Sequence, residues 1–317
     1  MATSTTSPPL LRPGAAMNLG SLATQRFDAV ILDLDNTLVD SQQALLTAFG
    51  TWAREYAIPA DQLIGRTGWR TRDIVDATID EPRRAAATAR IDELELTTTD
   101  GITAVPGAAD ALTALHEVAA VATSSRRPVA LARLTEAGLE PPRVLVSGED
   151  VERGKPEPDA FLLAARRLDA DPARCLVVED APAGVEAARR AGMSALALTT
   201  STPAAELPAD AVVADLSQVT FRVGQAGAGL LPAPGRDVAR FLRKDGRISQ
   251  MPTRKAPRLT VLGFAADHLP VGIRLTEPEV NALLRPLDDD VALLRRHLVD
   301  EGLVGRPQPG VYLRPRS

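Results

Sequence analysis

Cysteine is nearly absent from these 317 residues: Cys175 stands alone, which excludes an intramolecular disulfide and any thiolate zinc cluster. Long apolar runs are absent as well. No stretch approaches the ~18 apolar residues of a membrane span, so no membrane partner is expected. The opening MATSTTSPPLLRPGAAMNLGSLATQ lacks a basic segment followed by an apolar one and does not read as a secretory signal. Residues 1–25 are expected to be a disordered tail, with Met17 a candidate start, and the expected location is cytoplasmic. Lysine is the third scarcity. Only Lys155, Lys244 and Lys255 occur among 36 basic residues, so Lys155, alone in the first 240 positions, is a compositional exception.

The formal charge of −5 is unevenly spread. From Arg236 onward there are 15 Lys+Arg against 10 Asp+Glu, a balance of +5, while the first 235 residues carry 21 against 31, or −10. Halves of opposite sign point to two domains with different partners.

The stretch DAVILDLDNTLVDS, Asp28 to Ser41, organises the first half. An apolar run, Ala29 to Leu32, ends in two carboxylates, Asp33 and Asp35. That pattern predicts a central parallel strand, buried on both faces, whose carboxyl end opens into a site. Two carboxylates crowding one point raise each other's pKa unless a cation lies between them, and Mg2+, which prefers oxygen ligands, would relieve the crowding. From Val39 to Thr103 no strand-like run appears. Helices are expected over Ser41–Tyr56 and Glu81–Leu96, with LIGRTGWRTRDIV between them leading into a short helical run. After residue 104, strands around 118–125, RVLVSGED, 174–180 and SALALTT alternate with helices, the layout of βαβ units and a parallel sheet. Residues 221–236, rich in Gly and Pro, read as a linker.

Four strand ends in this reading carry polar groups suited to a phosphate: Asp33 and Asp35; Thr123, Ser124 and Ser125; Lys155 in GKPEPDAF; Glu179 and Asp180. Asp33 is the candidate nucleophile and Asp35 the candidate acid/base. Asn36, Thr123, Ser124 and Lys155 are the candidate phosphate-binding residues. The candidate Mg2+ set is Asp33, Asp180, the Asp35 carbonyl and Glu179. Taken singly, the Thr-Ser-Ser run is also a strand-end cap and the Glu-Asp pair also balances a helix dipole. Four such elements in order argue for catalysis.

These motifs, DLDNT, the Thr123 segment, GKP and VVEDAPAGVEAARRAGM, resemble those of the haloacid dehalogenase-like hydrolase superfamily from Asp28 to about Val219. The resemblance implies a Rossmann-like α/β core over residues 26–220, Mg2+ dependence and a helical cap inserted after the first strand, here about residues 40–104. An acid at Asp35 favours phosphate chemistry over dehalogenation. A cap without lysine disfavours a phosphonatase. The run from DGITAVPG to EDAPAGVEAARRAG is similar to sugar and glycerol-3-phosphate phosphatases, which implies a small phosphate ester as substrate. Phosphoglycolate phosphatase and a β-phosphoglucomutase-like mutase are the alternatives. Specificity is expected from the cap, where Arg66, Trp69, Arg70 and Arg72 are the candidate substrate-facing residues.

Residues 237–317 read as helix, capped helix, helix and hairpin, a small α+β winged-helix-like domain. Thr276 and Glu279 form a capping box, and a hairpin is expected around Gln308–Gly310. The segments FLRKDGRISQMPTRKAPRLTVL and DVALLRRHLVDEGLVGR resemble an uncharacterised bacterial domain found attached to winged-helix regulators. That resemblance implies architecture and a regulatory flavour only; the winged-helix layout with its positive balance suggests a nucleic-acid or protein partner, and a metabolite-sensing regulator is the alternative of another class.

Overall fold

The computed structural model describes residues 19–23, 25–66, 68–224, 227–232, 236–243 and 245–315. Of the tail expected over residues 1–25, positions 1–18 and 24 lie outside these. The remainder departs from that expectation: Gly20–Ala23 form a 3-10 turn with Leu22 and Ala23 buried.

Strand β1 (Ala29–Leu32) carries four fully buried residues. Val30 and Leu32 face one hydrophobic cluster and Ala29 and Ile31 the other, the period of two that burial on both faces requires. The chain then enters β2 (Val39–Asp40), which pairs antiparallel with β3 (Thr103–Ala104). This pair forms the neck of a helical cap, where no strand was expected. Two-residue strands are too short to show alternation. Inside the neck lie α1 (Gln42–Tyr56), α2 (Thr71–Thr78) and α3 (Glu81–Thr97). Trp52, Ile74, Val75, Ala87 and Ile91 give the cap its own core, and the Trp52 indole N–H donates to the Ala87 carbonyl at 3.0 Å.

The alternation that follows is α4 (Ala108–Leu115), β4 (Ala119–Ala122), α5 (Arg127–Glu136), β5 (Val144–Val146), α6 (Asp159–Arg167), β6 (Cys175–Glu179), α7 (Pro182–Arg190), β7 (Ser194–Leu198) and β8 (Ala211–Val213). The six long-range strands form one parallel sheet in the order β5-β4-β1-β6-β7-β8. β1 therefore lies between β4 and β6, and their carboxyl ends open side by side, where open α/β sheets bind ligands.

Much of the expected linker, residues 221–236, is paired instead, while positions 225, 226 and 233–235 lie outside the described residues. β9 (Val219–Gly224) and β10 (Gly227–Pro232) form an antiparallel hairpin. Phe221, Ala228 and Leu230 are buried in the same cluster as Leu22, Phe27 and the even face of β1. Phe27 and Ala228 exchange backbone hydrogen bonds of 2.9 and 2.7 Å, which stitch the hairpin to the start of β1. Gly and Pro give this stretch the composition of a linker, but its strands bury one face through Phe221, Ala228 and Leu230.

The carboxyl-terminal part contains α8 (Arg236–Ala239), α9 (Lys255–Asp267), β11 (Arg274–Thr276), α10 (Glu277–Leu284), α11 (Val291–Asp300), β12 (Gly305–Gln308) and β13 (Val311–Leu313). It has its own core around Val261, Leu262, Val280, Leu284, Leu294 and Leu298. The Thr276–Glu279 capping box starts α10, and the terminal hairpin is joined by β11 into a three-stranded sheet. Among the described residues no helix is long and apolar enough to cross a membrane.

Candidate active site

At the end of β1 the Asp33 N–H bonds the Val178 carbonyl at 2.9 Å, the last tie to the sheet. The chain then turns. Asn36 takes a left-handed conformation, φ 59°, which asparagine tolerates better than most residues, and its N–H bonds the Val39 carbonyl at 2.6 Å. This tight turn lets Asp33, Asp35 and Asn36 line one cavity. The Asn36 Oδ1 is buried without a hydrogen-bond partner among the described residues.

Lys155 supplies the positive charge. Its ammonium, 3% exposed, donates to Asp33 Oδ1, to Glu179 Oε1 at 2.7 Å and to the Ala122 carbonyl at 3.2 Å. Burial opposes charging of this lysine, but the Asp33 and Glu179 carboxylates outweigh it and hold the ammonium above its ordinary pKa. The second oxygen of Glu179 accepts the N–H groups of Asp180 and Ala181, at 2.8 and 2.9 Å. Both Glu179 oxygens are thus engaged by protein donors.

Asp33, Glu179 and Asp180 bring carboxylate oxygens within 4.8 Å of one another, all buried. Burial raises Asp33 well above the usual carboxylate range; Lys155 opposes this, and the neighbouring acids reinforce it. Burial, then Glu179, pushes Asp180 up to about 8. Buried hard-oxygen donors that resist carrying their charges together fit a divalent cation. Thr37 Oγ1 donates to Asp180 Oδ1 at 3.3 Å, and Ser201 holds Oδ2.

Asp35 stands apart from that cluster. Its Oδ1 accepts from Ser41 at 2.6 Å and Arg133 at 2.7 Å, and its Oδ2 from Ser125 at 2.8 Å. At the end of β4, Thr123 is buried and its Oγ1 accepts the Ser125 N–H at 3.0 Å, so the strand-end capping role is present; its own hydroxyl proton is left to donate. Ser124 donates to the Gly68 carbonyl of the cap at 2.6 Å. Ser125, one of the strand-end groups read as suited to a phosphate, is instead spent on Asp35, and Ser41, Ser201, Glu95 and Arg133 were not anticipated. For Arg133 a signal existed, since it occupies the buried stripe of α5 with Val129, Ala130 and Leu134.

The cap roofs a cavity of about 440 Å³. Its floor is the polar cluster of the core, and its cap-side wall is largely apolar, with Leu45, Leu46, Phe49 and Trp69. Arg66 also lines it, with its guanidinium 5.3 Å from the Trp69 ring centre. Arg70 and Arg72, expected to face the substrate, do otherwise. Arg70 is buried and donates to the carbonyls of Val151 and Glu152, at 2.9 and 3.0 Å, and to Asp73. The Arg72 side chain, 79% exposed, reaches Asp76 at 3.8 Å.

Comparison with known proteins agrees with this geometry. Residues 27–192 match the model of the haloacid dehalogenase-like hydrolases, and residues 247–314 that of an uncharacterized protein conserved in bacteria (DUF2087). Hexitol phosphatase A of Escherichia coli is 39% identical over 203 residues, covering 62% of this chain and 94% of that protein. Validoxylamine A 7'-phosphate phosphatase of Streptomyces hygroscopicus is 32% identical over 208 residues, covering 62% of this chain and 97% of that protein. The crystal structure of a hydrolase from Pseudomonas syringae superposes with a TM-score of 0.54 at 27% identity, covering 59% of this chain and 93% of that one. A parallel sheet with an aspartate pair at the end of its central strand, a buried lysine, an acidic pair on the next strand and a helical cap place this chain in the haloacid dehalogenase-like hydrolases.

Proposed function

We propose that the protein hydrolyses a small phosphomonoester, a sugar or polyol phosphate, through an aspartyl-phosphate intermediate. The observation that carries this reading is the buried Asp33 carboxylate at the end of β1, held through one oxygen by Lys155 and facing the cavity beside Asp35. Its free oxygen attacks phosphorus, forming an acyl phosphate as the ester P–O bond breaks. Asp35 gives its proton to the departing alkoxide, then takes one from the water that cleaves the acyl phosphate, regenerating Asp33 and releasing inorganic phosphate. Lys155 and the Thr123 hydroxyl stabilise the charge developing on the transferring group. Mg2+, held by Asp33 and Asp180, would screen the anionic nucleophile from the anionic phosphate.

The names of the relatives, hexitol phosphatase and validoxylamine 7'-phosphate phosphatase, support a phosphorylated polyhydroxy compound as the substrate class. The positive balance of the carboxyl-terminal part adds no comparable argument for nucleic acid. Arg247, Arg258, Arg295 and Arg314 are paired with Asp289, Glu301, Glu277 and Asp267, so much of that charge is neutralised locally. The test is phosphate release from a panel of hexitol, hexose and glycerol phosphates with Mg2+ present. Turnover is expected in the native protein and none in Asp33→Asn with an unchanged melting temperature; undiminished turnover in that variant rejects the reading.

A further inference from the structure

Arg133 is among the largest fully buried side chains of the molecule, with 1% of its surface exposed. A guanidinium does not shed its proton, so burying it is costly unless anionic partners surround it. Its partners come from two separate parts of the chain. One terminal nitrogen donates to Asp35 Oδ1 at 2.7 Å and to Ser125 Oγ at 2.9 Å; the other donates to Glu95 Oε1 at 3.0 Å. Glu95, 3% exposed, belongs to α3 of the cap, and its second oxygen accepts the Thr71 hydroxyl of α2 at 2.7 Å. The Arg133 Nε is buried without a hydrogen-bond partner among the described residues, so its engagements lie at the two terminal nitrogens.

The other arginines between cap and core differ. Arg70 spends its N–H groups on backbone carbonyls and its neighbour Asp73, and Arg126 pairs with Asp92 and Glu149 at the surface. Arg133 alone of the three reaches a residue of the cavity floor. Asp35 Oδ1 is occupied by an arginine N–H and the Ser41 hydroxyl, whereas Oδ2 meets, among the described residues, only the rotatable Ser125 hydroxyl, which itself accepts from Arg133. An oxygen facing a guanidinium N–H has no room for a proton. The oxygen facing a hydroxyl has, because the hydroxyl can turn and accept.

We infer that Arg133 and Glu95 are positioning residues for Asp35: the cap carboxylate holds the arginine, and the arginine fixes Oδ1 so that Oδ2 is the oxygen that gives and takes the proton. This inference rests on the phosphomonoesterase reading above. It assigns a catalytic consequence to a cap residue whose two oxygens are spent on Arg133 and Thr71.

The test uses the leaving group. An alkoxide needs a proton as it departs and p-nitrophenolate does not, so kcat/KM is measured for p-nitrophenyl phosphate and for the best alkyl phosphate of the panel, in the full chain with Mg2+. Asp35→Asn provides the reference for selective loss. Arg133→Gln and Glu95→Gln are expected to lose about 10²-fold on the alkyl ester, the usual worth of general acid assistance, and about threefold or less on the aryl ester. Equal losses on both esters, or none on either, overturn the inference. If Arg133→Gln does not fold, the milder Glu95→Gln decides by the same ratio. Loss of both activities in Asp33→Asn tests the underlying reading separately.

Discussion

Gly184 touches Glu179 so closely that no other residue fits. A Cβ at Gly184 would lie 1.7 Å from Glu179 Oε1 and 1.9 Å from its Cδ. The first turn of α7 thus packs directly on the carboxylate that holds Lys155 and the backbone after β6. Gly184→Ala is expected to displace Glu179, costing about 2 kcal/mol or more of stability as an overpacked site does, and most of the activity. Gly263→Ala, in mid-α9 with nothing within 4 Å of the new methyl, is the control, and should gain up to about 1 kcal/mol. Denaturant melts of both variants check the pair; equal stabilities would refute the contact.

Lys155 is expected to tolerate neither loss nor enlargement. Lys155→Met leaves Asp33 and Glu179 buried without their cation, a change that typically costs about 3–5 kcal/mol. Lys155→Arg keeps the charge, but the site is closed by the Ala122 carbonyl at 3.2 Å and the Phe161 ring at 5.0 Å. Both variants should fall by about 10²-fold or more in kcat, as when a preorganised donor to the reacting group is removed. Steady-state rates with Mg2+ decide, and an active Lys155→Arg would show that the site reads charge alone.

The crowded carboxylates predict a pH dependence of opposite sign to that of an ordinary salt-bridged acid. Asp180 titrates near 3.8 when free but at about 8 in the fold, so between these values the folded chain holds a proton that the unfolded chain has released. Its contribution to stability therefore declines as pH rises through this window, by up to about 1.4 kcal/mol per pH unit. A Mg2+ held by Asp33 and Asp180 would take the place of that proton. Melting temperatures in EDTA should fall from pH 5 to pH 8, the gain on adding Mg2+ should grow over the same range, and Asp180→Asn should flatten both. A Mg2+ gain that shrinks with rising pH would contradict the assignment of the cluster.

The floor of the site was legible because strand ends are local. An apolar run followed by Asp33 and Asp35, and another followed by Glu179 and Asp180, each declare a buried strand opening into a polar crevice, and Lys155 stood out against a background of arginine. The same background concealed the cap. Arg66, Arg70, Arg72 and Arg133 are one residue type with four fates: cavity wall, buried tie to the core, solvent, and partner of Asp35. Only tertiary contact separates them, although the apolar stripe around Arg133 was a readable hint. The β9–β10 hairpin was missed for a related reason. Its Gly and Pro look like linker composition, and its partner in pairing, Phe27, lies some two hundred residues earlier, so no local pattern records the contact.

Arg70 and Trp69, adjacent in sequence, should separate experimentally. Trp69 lines the cavity, so Trp69→Ala is expected to change the ratio of kcat/KM among the sugar and polyol phosphates. Arg70 instead joins the cap to the loop after β5 through the carbonyls of Val151 and Glu152. Arg70→Ala removes charge-assisted hydrogen bonds worth about 1.5–3 kcal/mol each, and should loosen the seating of the cap without touching the ligand. Its kcat/KM is expected to fall by a similar factor for every substrate, with the order of preference intact. Hydrogen exchange should also quicken at the start of α2 and in residues 148–152. A reordered substrate preference in Arg70→Ala would restore this arginine to the cavity wall.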